Sequence, residues 1–557
     1  MQNIGQTYKD YKKELPKYEA WKKQRDIRNA KKEYLFKTKP PSEEELKRAK
    51  AKADILFNAI DVMDDYSQEK AEDTEQIVQQ AGGVIMELAF YIGGLIGLGI
   101  GATKTAKNTI DKLLKKIQKF KKIENSDIKS ISILTFSSLG ALMLAGISQI
   151  PLSIISAKCE VSASRIARFE AMKDELNDYN QFAILDDKQK EEVANLAQNI
   201  KLNKKEKKNN KLQNIFTMFD PFGPFKTVSN LLKEKDEINQ TRKIYFDEVN
   251  KEVKENYNKG FTEEKILESK KDKELLTSMI ENIDIKSQDY AENMELTTVG
   301  ISLLASCLSS VGAISIDKLT ENIKNEKTRM LCSAGIPFIF MLITTSFFTN
   351  IQKLSSKIAR YKVIEEMKQN PVNFVYYSEE EINSVDESKI NVKKEEKDNI
   401  FKFIPKIIKE YKEYKRYVKE NDEKDKKYNK ALKQIEISKE QEKEAAKFQR
   451  NTFLTFNKID DNSQKYSESI EARWEMLSRP VTVISSMIGA ALSTTLSVKQ
   501  MDKNNYGRAF ALYIGGLGLS LVPAFILEMI STKHQKQASR VANYKAIEDL
   551  KDYQNFA

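Results

Sequence analysis

Apolar positions gather into six blocks along this chain of 557 residues, and nearly all of the charged residues lie between them. The blocks run 82–103, 131–157, 296–316, 330–351, 481–498 and 509–530. Each is close to the ~20 residues that a helix needs to cross ~30 Å of hydrocarbon. None carries a charge near its middle. A buried helix of a water-soluble core usually keeps a polar stripe, so six charge-free blocks predict six transmembrane helices arranged as three hairpins. The segments between hairpins are rich in strong helix formers, as in EYKEYKRYVKENDEKDKKYNKALKQIEISKEQEKEAAKFQ at 410–449. There Tyr411, Tyr414 and Val418 make a short apolar stripe that NDEKDKK interrupts, which predicts short packed helices or a broken helical bundle rather than one long coiled coil. The stretch KLNKKEKKNNK at 201–211 reads as a solvated linker.

The blocks sit inside an internal repeat. ASRIARFEAMKDELNDYNQFA (163–183), SSKIARYKVIEEMKQNPVNFV (355–375) and ASRVANYKAIEDLKDYQNFA (538–557) each follow the second block of a pair. They align Phe169 with Tyr361 and Tyr544, and Phe182 with Phe374 and Phe556. A second phrase precedes each pair: LFNAIDVMDDYSQEKAE (56–72), MIENIDIKSQDYAENME (279–295) and TFNKIDDNSQKYSESIE (455–471). Its Ile-Asp dipeptides, Ile60-Asp61, Ile283-Asp284 and Ile459-Asp460, read as helix starts with Asp as the N-cap. The expected fold is therefore an all-α integral membrane protein of three tandem units, each an arm, a hairpin and an amphipathic exit helix. Unit 1 spans 1–183 (arm 1–80, hairpin 82–157, exit 158–183). Unit 2 spans 184–377 (184–295, 296–351, 352–377), and unit 3 spans 378–557 (378–479, 481–530, 531–557).

Within the blocks, small residues recur four apart on the first helix of each hairpin: Gly93, Gly97 and Gly101; Ser302, Ser306 and Ser310; Ser485, Gly489 and Ser493. Such a face lets helices approach closely, and the partner is left open among the hairpin itself, another hairpin or a second copy of the chain. Each second helix carries a Gly before a Pro, and Pro151, Pro337 and Pro523 predict kinks. With Gln149, these prolines are the positions that would line a pathway if one exists. Ionisable residues are few, with Glu87 and Glu528 near block ends. In the exit phrases, Arg165, Arg168, Lys357, Arg360 and Arg540 are expected to snorkel to anionic headgroups.

Charge and motif content narrow the function classes. The net charge of +11 comes without a recognisable nucleic-acid module, so attraction to anionic lipid is the expected use, and no nucleic acid is expected. The lone His534 has no motif partner, and Cys159, Cys307 and Cys332 lack ligand spacing. P-loop, HExxH and strand-associated GxGxxG patterns are absent, and YIGGLIGLGIG falls within an apolar block. No catalytic residue, cofactor or metal is expected. The first 24 residues contain no apolar h-region, so an uncleaved signal within 82–103 is expected instead of a signal peptide. Six crossings put the arms and both termini on one side, taken as cytoplasmic, at a plasma or inner membrane. The loop at 104–129 is basic, and its Ile110, Leu113, Leu114 and Ile117 share a helical face suited to a lipid surface. The leading expectation is a non-enzymatic membrane protein that anchors and clusters helical arms, with possible homo-oligomers. The alternatives are a channel or transporter of three pseudo-equivalent hairpins, and a secreted protein that inserts hairpins into a foreign membrane.

Overall fold

The computed structural model describes residues 4–116, 162–200, 223–258, 262–320, 331–392, 400–501, 505–520 and 522–551, with isolated positions in 132–159 and 322–329 and Phe556. Every described element is helical. In chain order the elements used below are α1 (Ile4–Thr38), α2 (Glu43–Gly101), α3 (Lys104–Lys116), α4 (Gly223–Asn258), α5 (Glu263–Leu319) and α6 (Ile336–Lys353). They continue with α7 (Ser355–Gln369), α8 (Ile400–Leu432), α9 (Lys439–Met501), α10 (Tyr506–Ser520) and α11 (Val522–Asp549). Among the described residues, three stretches are apolar enough by length and composition to cross a membrane: within Glu263–Leu319, Leu331–Phe348 and Tyr506–Asp549. Tyr91–Gly101 is a shorter apolar helix. Most of block 131–157 and the linker at 201–211 lie outside the described residues.

The Ile-Asp dipeptides do not start helices. Ile60-Asp61, Ile283-Asp284 and Ile459-Asp460 lie inside α2, α5 and α9, which are 59, 57 and 63 residues long. The starts lie about five turns earlier. Ser42 accepts from the Glu45 backbone N–H while Glu45 reaches back, a complete capping box. Thr262 caps the Lys265 N–H, and Ser438 the Gln441 N–H. Each cap satisfies an otherwise orphaned donor. From there nothing in the sequence breaks the helix, because charged helix formers hand over directly to the apolar block. A run of this length extends about 85–95 Å, several times the ~30 Å of a bilayer core. Long helices thus run without interruption from charged into apolar sequence, while the arm segment 410–449 is broken at 433–438 between α8 and α9.

The head end is held by one apolar core. Leu56, Ile60 and Met63 of α2 meet Leu276, Met279, Ile280 and Ile283 of α5 and Phe448, Phe456 and Ile459 of α9. The three phrase-ending aromatics Phe182, Phe374 and Phe556 are buried in the same cluster. A four-residue 3-10 turn, Tyr179–Phe182 or Pro371–Phe374, delivers the first two.

The other end is built the opposite way, with small polar positions inside and large apolar ones outside. Leu95 is 68% exposed and Val311 63% exposed, and Leu308, Ile343 and Ile526 are also turned outward. Ser310 and Ser493 are buried. The Ser302, Ser306 and Ser310 hydroxyls donate to the carbonyls of Thr298, Ser302 and Ser306 one turn back. That satisfies each hydroxyl without water and keeps the face narrow. Gly515 and Gly518 of α10 pack over Ser310 and Ser306. Gly93, Gly97 and Gly101 turn instead to the second segment of their own hairpin, where Ser132 donates to the Gly101 carbonyl at 2.9 Å. Gly489 and Ser493 meet Ser520 and Gly516 of α10, and Ser485 is half-buried on the same helix. Of the three partners left open by the sequence, the described small-residue faces therefore use neighbours within the chain.

At several of the described glycines only hydrogen fits, Gly97 and Gly507 among them. A Cβ on Gly97 would lie 2.0 Å from the Phe136 carbonyl oxygen, and one on Gly507 would lie 2.3 Å from the Ala313 carbonyl oxygen. Gly99 lies on the other side of the same helix as Gly97, and a methyl group placed there would have nothing within 4 Å. Gly97→Leu should therefore destabilise the chain by at least about 1–3 kcal/mol in detergent melts, since backbone cannot step aside as a side chain does. Gly99→Leu should leave the melting curve within error of the parent. Equal effects would contradict the assigned face.

Candidate functional site

Where the charged head gives way to the apolar bundle, the two repeated phrases meet each other. Arg360 on α7 is 3% exposed at its side chain and lies among three carboxylates of α2: Asp65 at 2.6 Å, Asp61 at 3.5 Å and Asp64 at 3.6 Å. Helical spacing puts these acids on one face, at i, i+3 and i+4. Lys357, one turn earlier, pairs with Asp65 at 3.1 Å. On α11, Arg540 pairs with Asp289 of α5, and Asn543 donates to Asp284 at 2.6 Å. Ser463 of α9 also donates to Asp284, at 3.2 Å, and shares a hydrogen bond with Ser539. Arg168 lies 3.9 Å from Asp64 and holds its guanidinium 5.7 Å above the Phe456 ring. Arg165 and Arg168 line a cavity of about 10 Å³ with Phe169, Met172, Arg242 and Phe456. That is far below the volume of an ordinary ligand pocket.

These placements change the reading of the basic residues. Arg360 cannot snorkel to a headgroup, because its guanidinium is enclosed and committed to three aspartates. Lys357 and Arg540 are likewise turned to carboxylates, and Arg168 to Asp64 and an aromatic face. Alignment within each phrase does not reveal that the two phrases touch. Their complementary signs at fixed phrase positions are the signal that links them: basic or amide at Arg168, Arg360 and Asn543, and acid at Asp61 and Asp284.

The electrostatics follow from burial. Desolvation alone would lower the Arg360 pKa, but attraction to Asp64, Asp61 and Asp65 outweighs it and raises the value. Glu281, one turn before Asp284, is 4% exposed and pairs with Arg25 of α1. Burial pushes its pKa from 4.5 up to about 7, with Arg25 pulling it down and Asp284 and Asp26 adding repulsion. Asp284 keeps a partly accessible edge but is ringed by protein, and burial raises it from 3.8 to about 6 against the hydrogen bonds from Asn543 and Ser463.

The remaining positions singled out by sequence separate. Pro337 is buried at the start of α6, directly after a π-turn at Leu331–Gly335, and its carbonyl accepts from Ser309 at 2.9 Å. Pro523 opens α11 and is exposed on the outside with the lipid-type residues, so it lines no interior path. Gln149 and Pro151 lie outside the described residues. On α3, Ile110 is buried against protein, while Ile117 and the side chains of Leu113 and Leu114 are outside the described set. His534 stacks on Trp474 at 5.2 Å and its Nδ1 bonds the Ile530 carbonyl. Among the described residues no group of three or more His, Cys, Asp or Glu is placed to hold a metal ion. No family model, curated protein or solved structure matches the chain.

Two outcomes test this neck. Arg360→Ala removes the cation shared by three clustered acids and leaves Asp65 with Lys357 alone; because these acids keep some solvent, the cost should be about 2–3 kcal/mol, below the 3–5 kcal/mol of a fully buried pair. Asp65→Asn, which relieves repulsion as it removes a partner, should cost less, and chemical denaturation in micelles compares the two. The second outcome concerns pH. Glu281 and Asp284 hold protons in the fold at pH values where the unfolded chain has lost them, so folding takes up protons between pH ~4 and ~7. Stability from these groups is present at acid pH and falls as pH rises through that window, then levels above about 7. Thermal melts from pH 4.5 to 8 should show that slope, and Glu281→Gln should flatten it.

Proposed function

We propose that the chain is a non-enzymatic, multi-pass membrane protein. Three hairpins anchor a helical head at one face of a bilayer, where it organises the membrane or gathers protein partners. The observation that carries this reading is the inverted distribution of residues at the bundle end. Outward Leu95, Leu308, Val311, Phe340, Ile343 and Ile526 form an apolar surface, with small hydroxylated and glycine faces inward. A patch of that extent is not sustained in water but is the ordinary exterior of a protein in lipid. The head offers charged helices, an enclosed cavity of only about 10 Å³ at Arg165 and Arg168, and an open surface groove of about 360 Å³ along Lys188, Glu191, Glu192 and Asn199, which favours anchoring and recruitment over small-molecule chemistry. Orientation follows the expectation of a cytoplasmic head, and lipid with anionic headgroups is the proposed setting.

Single cysteines in a background lacking Cys159, Cys307 and Cys332 test the reading. Asn325→Cys lies at the far turn between α5 and α6, and Lys188→Cys and Ser388→Cys lie on the head. In intact cells a membrane-impermeant maleimide should label position 325 alone, with 188 and 388 reacting only after lysis. The reverse pattern would invert the orientation. Equal labelling of all three, with release of the protein by alkaline carbonate, would overturn the membrane reading.

A further inference from the structure

The aromatic residue shared by the three exit phrases packs, tilted or edge-on, against aromatic rings of a separate arm helix. Phe169 meets Tyr245 and Phe246 of α4, with ring centroids 5.6 and 6.4 Å away. Tyr361 meets Tyr414 and Tyr417 of α8, at 5.9 and 4.7 Å. Tyr544 meets Trp21 and Tyr18 of α1, at 5.3 and 6.4 Å.

The same three helices also reach one common position on the long helices, two residues before the Ile of each Ile-Asp pair. Arg242 of α4 donates to Asn457 at 3.1 Å, Asn429 of α8 donates to Asn58 at 3.2 Å, and Arg25 of α1 donates to Glu281. Nine residues before that Ile a further tie recurs: Glu252 of α4 with Arg450 at 3.1 Å, and Lys32 of α1 with Glu274 at 2.7 Å. Each arm helix therefore lies against the exit phrase of one unit and sends polar side chains to the long helix of another. For α4 that long helix is α9, for α8 it is α2, and for α1 it is α5.

The helices α4 and α8 follow their exit phrases along the chain, whereas α1 comes from the opposite end. Its seat is a built part of the core. Tyr11 is 1% exposed with its hydroxyl on Gln537 at 3.1 Å, and Tyr18 is buried among Tyr466, Ile470, Ala538, Val541 and Ala542. Below α1 a short Pro40-Pro41 spacer leads directly to the Ser42 cap of α2.

We infer that α1 is the third arm displaced to the start of the chain: a clasp that docks on the surface made by α11 and α9, with polar ties to α5, and closes three pseudo-equivalent units into a ring. That surface is thus an interaction site fitted to one partner, the aromatic and basic N-terminal helix of the same molecule. The inference rests on the threefold repeat included in the proposed function. It concerns the head alone, so its outcome is independent of whether the bundle crosses a membrane.

The test uses the full chain without native cysteines. Trp21→Cys with Tyr544→Cys, and separately Arg28→Cys with Glu274→Cys in case the aromatic pair disturbs folding, are treated with a short bis-maleimide. Tyr361→Cys with Tyr417→Cys is the reference for an arm that follows its phrase. Cross-linked monomer should form for the α1 pairs within two-fold of the reference yield. A circular permutant beginning at Ser42, with residues 1–41 moved behind Ala557 through a flexible linker of about 25 residues, gives enough reach to regain the seat. It should keep the α1 cross-link within two-fold and the parental melting temperature within a few degrees. Three results would overturn the clasp: no α1 link where the reference links, links found only at dimer mass, or a permutant that folds yet loses the link. Carbonate extraction of the same samples reports on the membrane reading separately.

Discussion

A helix that begins among charges and ends among apolar side chains must keep every backbone hydrogen bond while its surroundings change, because a loop at the boundary would strand polar groups in the apolar part. The chain meets this constraint with α2, α5 and α9, each a single rod through both environments. Everything else is arranged around those rods. Their first halves share one aromatic and aliphatic core, and their last thirds expose Leu and Ile while burying Ser and Gly. Head and bundle are consequently joined by continuous helix.

With no loop at the junction, side chains have to absorb the change of environment. They do so by pairing laterally: Arg360 with Asp61, Asp64 and Asp65, Arg540 with Asp289, and Asn543 with Asp284. An ion pair in such a place gives position more than stability, since desolvation offsets much of the attraction. The neck fixes the rotation of each exit helix about its rod, and that in turn aims Phe169, Tyr361 and Tyr544 at their arm helices.

The helical class is readable from the sequence, because apolar blocks beside Lys- and Glu-rich segments leave little room for strands. The small-residue faces are readable too, since spacing by four is a local property of a helix. The helix starts are not. Asp61 and Asp284 have the composition of an N-cap, but whether an Asp caps a helix depends on the residues before it, and LKRAKAKADILFN continues the helix rather than breaking it. Arg360 reads as a lipid-facing cation for a related reason. Its position just after an apolar block is local information, whereas its aspartate partners lie some 295 residues away, a pairing no periodicity records. The contact of Tyr544 with α1 is hidden in the same way, across nearly the whole chain.

The central claim is that α5 enters lipid with Leu304, Leu308 and Val311 outward and Ser302, Ser306 and Ser310 inward. Spin labels placed singly at those six positions in reconstituted vesicles measure it directly, through collision with oxygen and with a water-soluble nickel chelate. The account predicts high oxygen and low nickel accessibility at 304, 308 and 311, and low accessibility to both at 302, 306 and 310. High nickel accessibility at the three outward positions would contradict it.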